Sequence, residues 1–149
     1  MNLTTLEFTR RIPAEPAEVF DVWIDPHHPG GPWFSPQTDK QQSKIIFDAK
    51  VDGLFFHGVT AGGHSWAHYG RFTRLERGAI AEHTWVCEAT QGRESVVTTT
   101  FVAQDGGTLV TITQTGVPDD EPGRAQSNGW KWILGALADA IAKKSGAST

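Results

Sequence analysis

The feature that most constrains the fold is a series of six β-type segments followed by one long amphipathic helix. The pattern predicts strands near residues 44–51, 53–60, 64–76, 79–89, 94–103 and 108–116. The turn signals between them, such as Asp52-Gly53 and Gly62-Gly63, are typical of hairpins. Strands joined by such short turns pair antiparallel, because a parallel pair needs a long crossover. The sequence therefore predicts an antiparallel meander.

Three further elements flank this meander. Residues 6–12 alternate like a half-buried strand, and a short helix is expected to open near Pro16 and to stop at Asp25-Pro26. The last helix is predicted from about Glu121 to Lys144. Its apolar residues recur with helical spacing at Trp130, Ile133, Leu134, Leu137, Ala138 and Ile141.

The order of these elements predicts an α+β helix-grip fold. A single sheet must cover its inner face, and the last helix is the only element large enough to do so. We expect a curved sheet of six to seven strands around that helix, with any function in the cavity between them. A length of 149 residues suits one domain, residues 1–149, with one core.

Composition excludes several classes of function. The net charge is −4 and the basic residues are scattered, so no nucleic-acid partner is expected. No apolar run is long enough to span a bilayer, and the N-terminus lacks the pattern of a signal peptide, so the cytoplasm is the expected location. Cys87 is the only cysteine, which excludes an internal disulfide and a cysteine zinc cluster. No cofactor is expected.

Strand alternation predicts which side chains face the helix. Candidate ligand-binding residues on these inner faces are His57, Trp66, His68, Phe72, His83, Trp85, Thr99, Phe101 and Gln114. Trp33, with Phe34 in a Pro-rich loop over residues 27–39, is a candidate lid, and simple packing of that loop is the alternative. Trp23 and Trp130 are expected to pack the helices into the core.

Three of these candidates are histidines on consecutive strands. If their faces all point inward, His57, His68 and His83 lie close together, and three imidazoles are a known zinc set. We favour separately satisfied, partly buried histidines, because no short-range motif such as HExxH is present. Catalysis by His83 with Glu82 is disfavoured, since neighbours on a strand face opposite sides.

The ordered set of motifs resembles a known superfamily. Segments 11–20, 94–101 and 108–118, the pair Trp33-Phe34 and the Asn128-Gly129-Trp130 helix entry carry the likeness. The chain is similar to START-like (SRPBCC, Bet v 1-like) proteins, and within them to the group named after the C-terminal domain of the activator of Hsp90 ATPase. It departs from that pattern at Asp52, His57, His83 and Gln114, which alters the expected cavity.

The resemblance implies three alternative functions. The leading hypothesis is a protein that binds a small hydrophobic or amphipathic ligand, with the histidines and Gln114 as polar anchors. The second is an enzyme resembling aromatase/cyclases, which act by positioning a polyketide-like or aromatic substrate. The third is a module that stimulates an Hsp90-type ATPase. Leu54 and Phe56 are predicted on the outer sheet face, which suggests a contact surface such as that of a homodimer; the alternative is a β-bulge that turns them inward.

Overall fold

The structure, a computed structural model, describes residues 1–28, 31–33 and 41–146, and their side chains except at 41, 42 and 144–146. The elements are β1 (Leu3–Ile12), α1 (Pro16–Trp23), β2 (Gln41–Phe47), β3 (Leu54–Ala61), β4 (His64–Glu76), β5 (Ile80–Trp85), β6 (Ser95–Gln104), β7 (Gly107–Pro118) and α2 (Glu121–Gly146). One seven-stranded sheet has the order β1-β7-β6-β5-β4-β3-β2, with every neighbouring pair antiparallel. The predicted fold class is therefore confirmed.

Two predicted strands differ most from the observed ones, and β1 begins three residues earlier than expected. β2 covers residues 41–47 instead of 44–51, because the chain turns at Asp48 to Gly53. β5 ends at Trp85 instead of residue 89, because the chain enters a 3₁₀ turn over Glu88–Thr90. Within the part of the chain that the structure describes, no helix is apolar over enough of its length to cross a membrane.

Helix α2 begins at a side-chain cap and buries one face. Asp120 Oδ1 accepts a hydrogen bond of 2.7 Å from the backbone N–H of Gly123, which satisfies one of the free donors at the helix start. Among the strands, the helix packs most closely on β1 and β7, and it also packs on α1. Its buried hydrophobic residues are Trp130, Ile133, Leu134, Leu137, Ala140 and Ile141.

The inner face of the sheet is packed differently on its two sides. We call β1, residues 80–84 of β5, β6 and β7 the closed half, and β2, β3, residues 64–71 of β4 and Trp85 the open half. In the closed half Val97, Val110 and Ile112 have no exposed surface. Phe101 meets Phe20 of α1 edge to face, with ring centroids 5.4 Å apart. Both helices therefore seal this half.

The two halves meet within β4. A Cβ atom at Gly70 would lie 1.9 Å from the carbonyl oxygen of Thr84, so only glycine permits this close approach to the next segment. Two residues later the β4–β5 register shifts between Phe72 and Arg74. Such a bulge bends a strand, and here the sheet passes from its closed to its open half.

The outer face of the open half carries exposed apolar side chains. Ile46, Leu54 and Tyr69 are each about half exposed, and the half-buried Phe56 packs on Tyr69 with ring centroids 5.4 Å apart. Leu54 and Phe56 thus lie on the outer face, as the alternation predicts. The homodimer suggested by this face stays a prediction.

Candidate functional site

A cavity of about 320 Å³ lies between α2 and the inner face of the open half. Five of the six tryptophans line it: Trp33, Trp66, Trp85, Trp130 and Trp132. Its volume falls within the range of about 300–1,000 Å³ that is usual for small-molecule sites. Trp66 is 42% exposed and Trp132 is 62% exposed, so these two form the rim and the cavity opens to solvent.

Strand register and helical spacing position the walls. On the sheet side, His57 pairs with His68 and Val59 pairs with Trp66 across β3 and β4. On the helix side, Gln126, Gly129, Trp130 and Ile133 line the cavity at positions i, i+3, i+4 and i+7, which share one face of a helix. The site therefore arises between the inner face of β3 and β4 and one face of α2.

Trp33 closes one end of the cavity from the loop after α1. Its side chain is 1% exposed, and its indole N–H donates a hydrogen bond of 2.7 Å to the carbonyl oxygen of Trp23. Its ring meets Phe55 and His57 edge to face, with centroids 5.4 and 5.6 Å away. Phe34, the other half of the predicted lid, lies outside the described residues.

His57 and His68 form a stacked pair on the cavity wall. Their ring centroids are 5.7 Å apart at an interplanar angle of 22°, and His68 also stacks on Trp85 at 4.6 Å. Burial, and to a smaller extent the proximity of His68, lowers the pKa of His57 to about 4. Burial also lowers the pKa of His68. Both rings are therefore neutral near pH 7.

His83 lies behind this wall and does not join the pair. It is 1% exposed and stacks on Phe55, with ring centroids 4.2 Å apart. Burial lowers its pKa to about 4. Among the described side chains, the buried polar atoms without a hydrogen-bond partner are His83 Nε2 and Thr99 Oγ1. The described residues contain no group of three histidine, cysteine or acidic side chains placed to hold a metal ion.

A polar network joins the cavity to the closed half. The buried Gln114 accepts a hydrogen bond of 2.8 Å from the indole N–H of Trp130. Its amide nitrogen donates to Ser95 Oγ at 3.1 Å and to Gln126 Oε1 at 3.2 Å. Gln126 Oε1 also accepts from the indole of Trp85 and from the thiol of Cys87. The side-chain amides of Gln114 and Gln126 thus each form several hydrogen bonds, which fixes the positions of Trp85 and Trp130 in the cavity wall.

The structure places the ten predicted site residues in two layers. Those that line the cavity are Trp33, His57, Trp66, His68 and Trp85. Those that lie in the packed interior, away from its lining, are Phe72, His83, Thr99, Phe101 and Gln114. A part for this second layer in ligand binding stays a prediction.

Sequence reasoning missed most of the helix side of the cavity. Trp130 is buried in the core, as expected, but it also lines the cavity. Gln126 lies one turn before it, a spacing that could have identified it. Val59 shares the inward parity of His57 and could also have been found. Nothing in the pattern marks Trp132, which follows Trp130 by two residues and projects from the exposed part of the helix.

The sequence model of one protein family, described as activator of Hsp90 ATPase homolog 1-like protein, matches residues 13–142. The chain belongs to this family. The family resemblance inferred from the motifs is therefore confirmed, together with the START-like fold that it implied. No curated protein is similar enough in sequence to count as a relative.

Solved structures with the same fold cover nearly the whole chain. Protein CV1439 from Chromobacterium violaceum is 26% identical, with a TM-score of 0.75, over 91% of this chain and 96% of that one. An AHSA1-like protein from Aeromonas hydrophila is 23% identical, with a TM-score of 0.71, over 95% and 94%. Ara h 8.0201 is 14% identical, with a TM-score of 0.73, over 95% and 99%. The last two likenesses concern the fold alone.

Proposed function

We propose that this protein binds a small, largely apolar ligand in the tryptophan-lined cavity between the open half of the sheet and α2. The observation that carries the proposal is that five of six tryptophans converge on one cavity of about 320 Å³ that opens to solvent. A globular domain normally buries such side chains against each other. Here they form walls around free space, which is the arrangement of a ligand site.

The chemistry of the lining supports a binding role. Its polar side chains are His57, His68 and Gln126, and its other described members are apolar or glycine. A few polar groups in an otherwise apolar cavity orient a ligand, while the aromatic walls supply most of the burial. Burial of a ligand with several rings removes apolar surface from water, which contributes about 25 cal/mol of favourable free energy per Å².

Gly129 offers a direct test, because it lines the cavity and a Cβ atom there would meet nothing within 4 Å. Gly129→Phe places a ring on the cavity face of α2, whereas Gly129→Ala removes the same glycine, gains more helix propensity and adds only a methyl group. Gly135→Ala, in the same helix but away from the cavity, is a second control.

Binding is measured by native mass spectrometry of the purified protein and by quenching of tryptophan fluorescence with a panel of aromatic ketones, alcohols and apolar carboxylic acids. We expect a co-purifying mass or saturable quenching with wild type, Gly129→Ala and Gly135→Ala. We expect Gly129→Phe to weaken the same binding at least about tenfold, or 1.4 kcal/mol. Equal binding by Gly129→Phe, or neither signal with wild type, would contradict the proposal.

A further inference from the structure

The hydrogen bond of His68 fixes which of its ring nitrogens carries the proton. His68 Nδ1 lies 2.9 Å from the backbone carbonyl oxygen of His57. A carbonyl oxygen only accepts, so Nδ1 must carry the hydrogen and donate it. Because burial lowers the pKa of His68, the ring is neutral and its Nε2 holds a lone pair. His68 is thus a hydrogen-bond acceptor at Nε2.

This acceptor is held rigidly and is open to the cavity. The ring lies between those of Trp85 and His57, at centroid distances of 4.6 and 5.7 Å and angles of 25° and 22°. Nδ1 faces the β3 backbone, so Nε2 is on the opposite side of the ring. No described group forms a hydrogen bond with Nε2. Among the described residues, the fully buried polar atoms without a partner are those of His83 and Thr99, so Nε2 of His68 is not fully buried. It therefore remains accessible in the lining of the cavity.

Of the two other polar side chains in the lining, Gln126 on the helix side has no free acceptor site. Gln126 Oε1 accepts from Trp85, Cys87 and Gln114, which exceeds the two lone pairs of a carbonyl oxygen. The described lining contains no lysine, arginine, aspartate or glutamate. A charged ligand group would therefore lose its hydration without gaining an opposite charge.

From this geometry we infer that the cavity selects a flat, uncharged aromatic ligand that carries an O–H or N–H donor, and that His68 Nε2 accepts the hydrogen bond from that donor. The inference rests on the proposed function and adds the chemical class of the ligand. It also makes His68 the residue that determines specificity, while the tryptophans supply affinity for any ring system of suitable size.

Matched probes separate the two proposals. 2-Naphthol presents a donor, 2-methoxynaphthalene presents the same rings with the donor capped, and 2-naphthoate presents the same rings with a negative charge. Each is titrated into the wild-type protein at pH 7 by tryptophan fluorescence. We expect 2-naphthol to bind about tenfold more tightly than the capped probe, the gain of one hydrogen bond, and more tightly than 2-naphthoate.

A variant of His68 tests whether its Nε2 atom causes the preference for 2-naphthol. His68→Phe keeps an aromatic ring against Trp85 but removes the acceptor, so it should bind 2-naphthol and 2-methoxynaphthalene equally. In the wild-type protein, nitrogen NMR of the histidine rings should show the Nδ1–H form of His68, with the Nε2 signal shifting when 2-naphthol is added. The NMR measurement tests the assignment even if the variant does not fold.

The outcomes distinguish failure of the inference from failure of the proposed function. Equal wild-type affinity for the naphthol and the methyl ether, or tighter binding of the naphthoate, overturns the inference but leaves a ligand cavity in place. A naphthol preference that persists in His68→Phe, or an Nε2–H form of His68, overturns the role of His68. Failure of all three probes to bind counts against the proposed function itself.

Discussion

The closed and open halves of the sheet have the same inward alternation but opposite packing. In the closed half, inward residues such as Val97 and Ile112 are fully buried beneath the helices. In the open half, Phe55 is buried but His57, Val59 and His68 are only half-buried, and Trp66 is 42% exposed. The difference lies in what faces the strands, since α2 packs on β1 and β7 and not closely on β3 and β4. The closed half therefore forms the packed core, whereas the open half borders the cavity that we propose as a ligand site.

The largest expected effect is on the stability of the closed half. Phe101→Ala should lower the free energy of unfolding by about 3–5 kcal/mol, because it leaves a cavity in a sealed core beside Phe20. The change in the open half, Val59→Ala, removes a smaller side chain that is only half-buried, so it should cost less than about 1 kcal/mol. Denaturant unfolding measures both. Equal losses would show that the halves are packed alike.

Acid should destabilise the protein through its buried histidines. An unfolded histidine binds its proton near pH 6.5, whereas His57 and His83 do so near pH 4 in the native state. Unfolding therefore takes up protons between these values, so stability is complete above pH 6.5 and falls as pH decreases toward 4. The loss from pH 7 to pH 5 is about 2 kcal/mol for each such histidine.

Two variants divide this acid effect between the halves. Between pH 7 and pH 5, the wild-type protein should lose unfolding free energy through each buried histidine. His83→Phe and His57→Phe should each reduce this loss by about 2 kcal/mol. Only His57→Phe should also weaken binding of the aromatic probes, since His57 lines the cavity and His83 lies behind it. A wild-type stability that is flat over this pH range would contradict the assignment.

The last comparison concerns two buried threonines. Thr90 Oγ1 donates to the carbonyl oxygen of Cys87 and accepts from its N–H, both at 3.0 Å. Thr99 Oγ1 has no partner among the described residues. Thr90→Val should therefore cost about 1–3 kcal/mol, whereas Thr99→Val should be neutral or stabilising by up to about 1 kcal/mol. A substantial loss with Thr99→Val in denaturant unfolding would mean that its hydroxyl is satisfied in solution.

The fold was readable from local signals. Turn dipeptides such as Asp52-Gly53 fix where strands reverse, and the periodicity from Trp130 to Ile141 fixes which face of α2 is buried. The inward parity of Phe72, His83 and Phe101 was also correct. Alternation assigns a face but not a depth, so it could not separate His57 on the cavity wall from His83 behind it.

Periodicity groups the lining residues of α2 on one face, but it does not show that this face borders a cavity. The position of α2 over the sheet decides which inward-facing residues border the cavity. That position is set by contacts between residues that are far apart in sequence. Trp130 shows this, since its indole N–H is held by Gln114 of β7 while its ring meets Trp85 of β5 at 4.9 Å. The sequence pattern does not predict a role for the exposed Trp132, because this residue lies outside the apolar face that the helical spacing defines.

The six indole groups provide the most direct test of the central claim that the open half is the ligand site. Protein labelled with nitrogen-15 in its tryptophan side chains would be titrated with 2-naphthol and followed through the indole N–H signals. We expect saturable shifts for Trp66, Trp85 and Trp132 of the cavity, and little change for Trp23, which is 2% exposed and outside the lining. Saturable binding that shifts Trp23 while leaving the cavity signals unmoved would contradict the account.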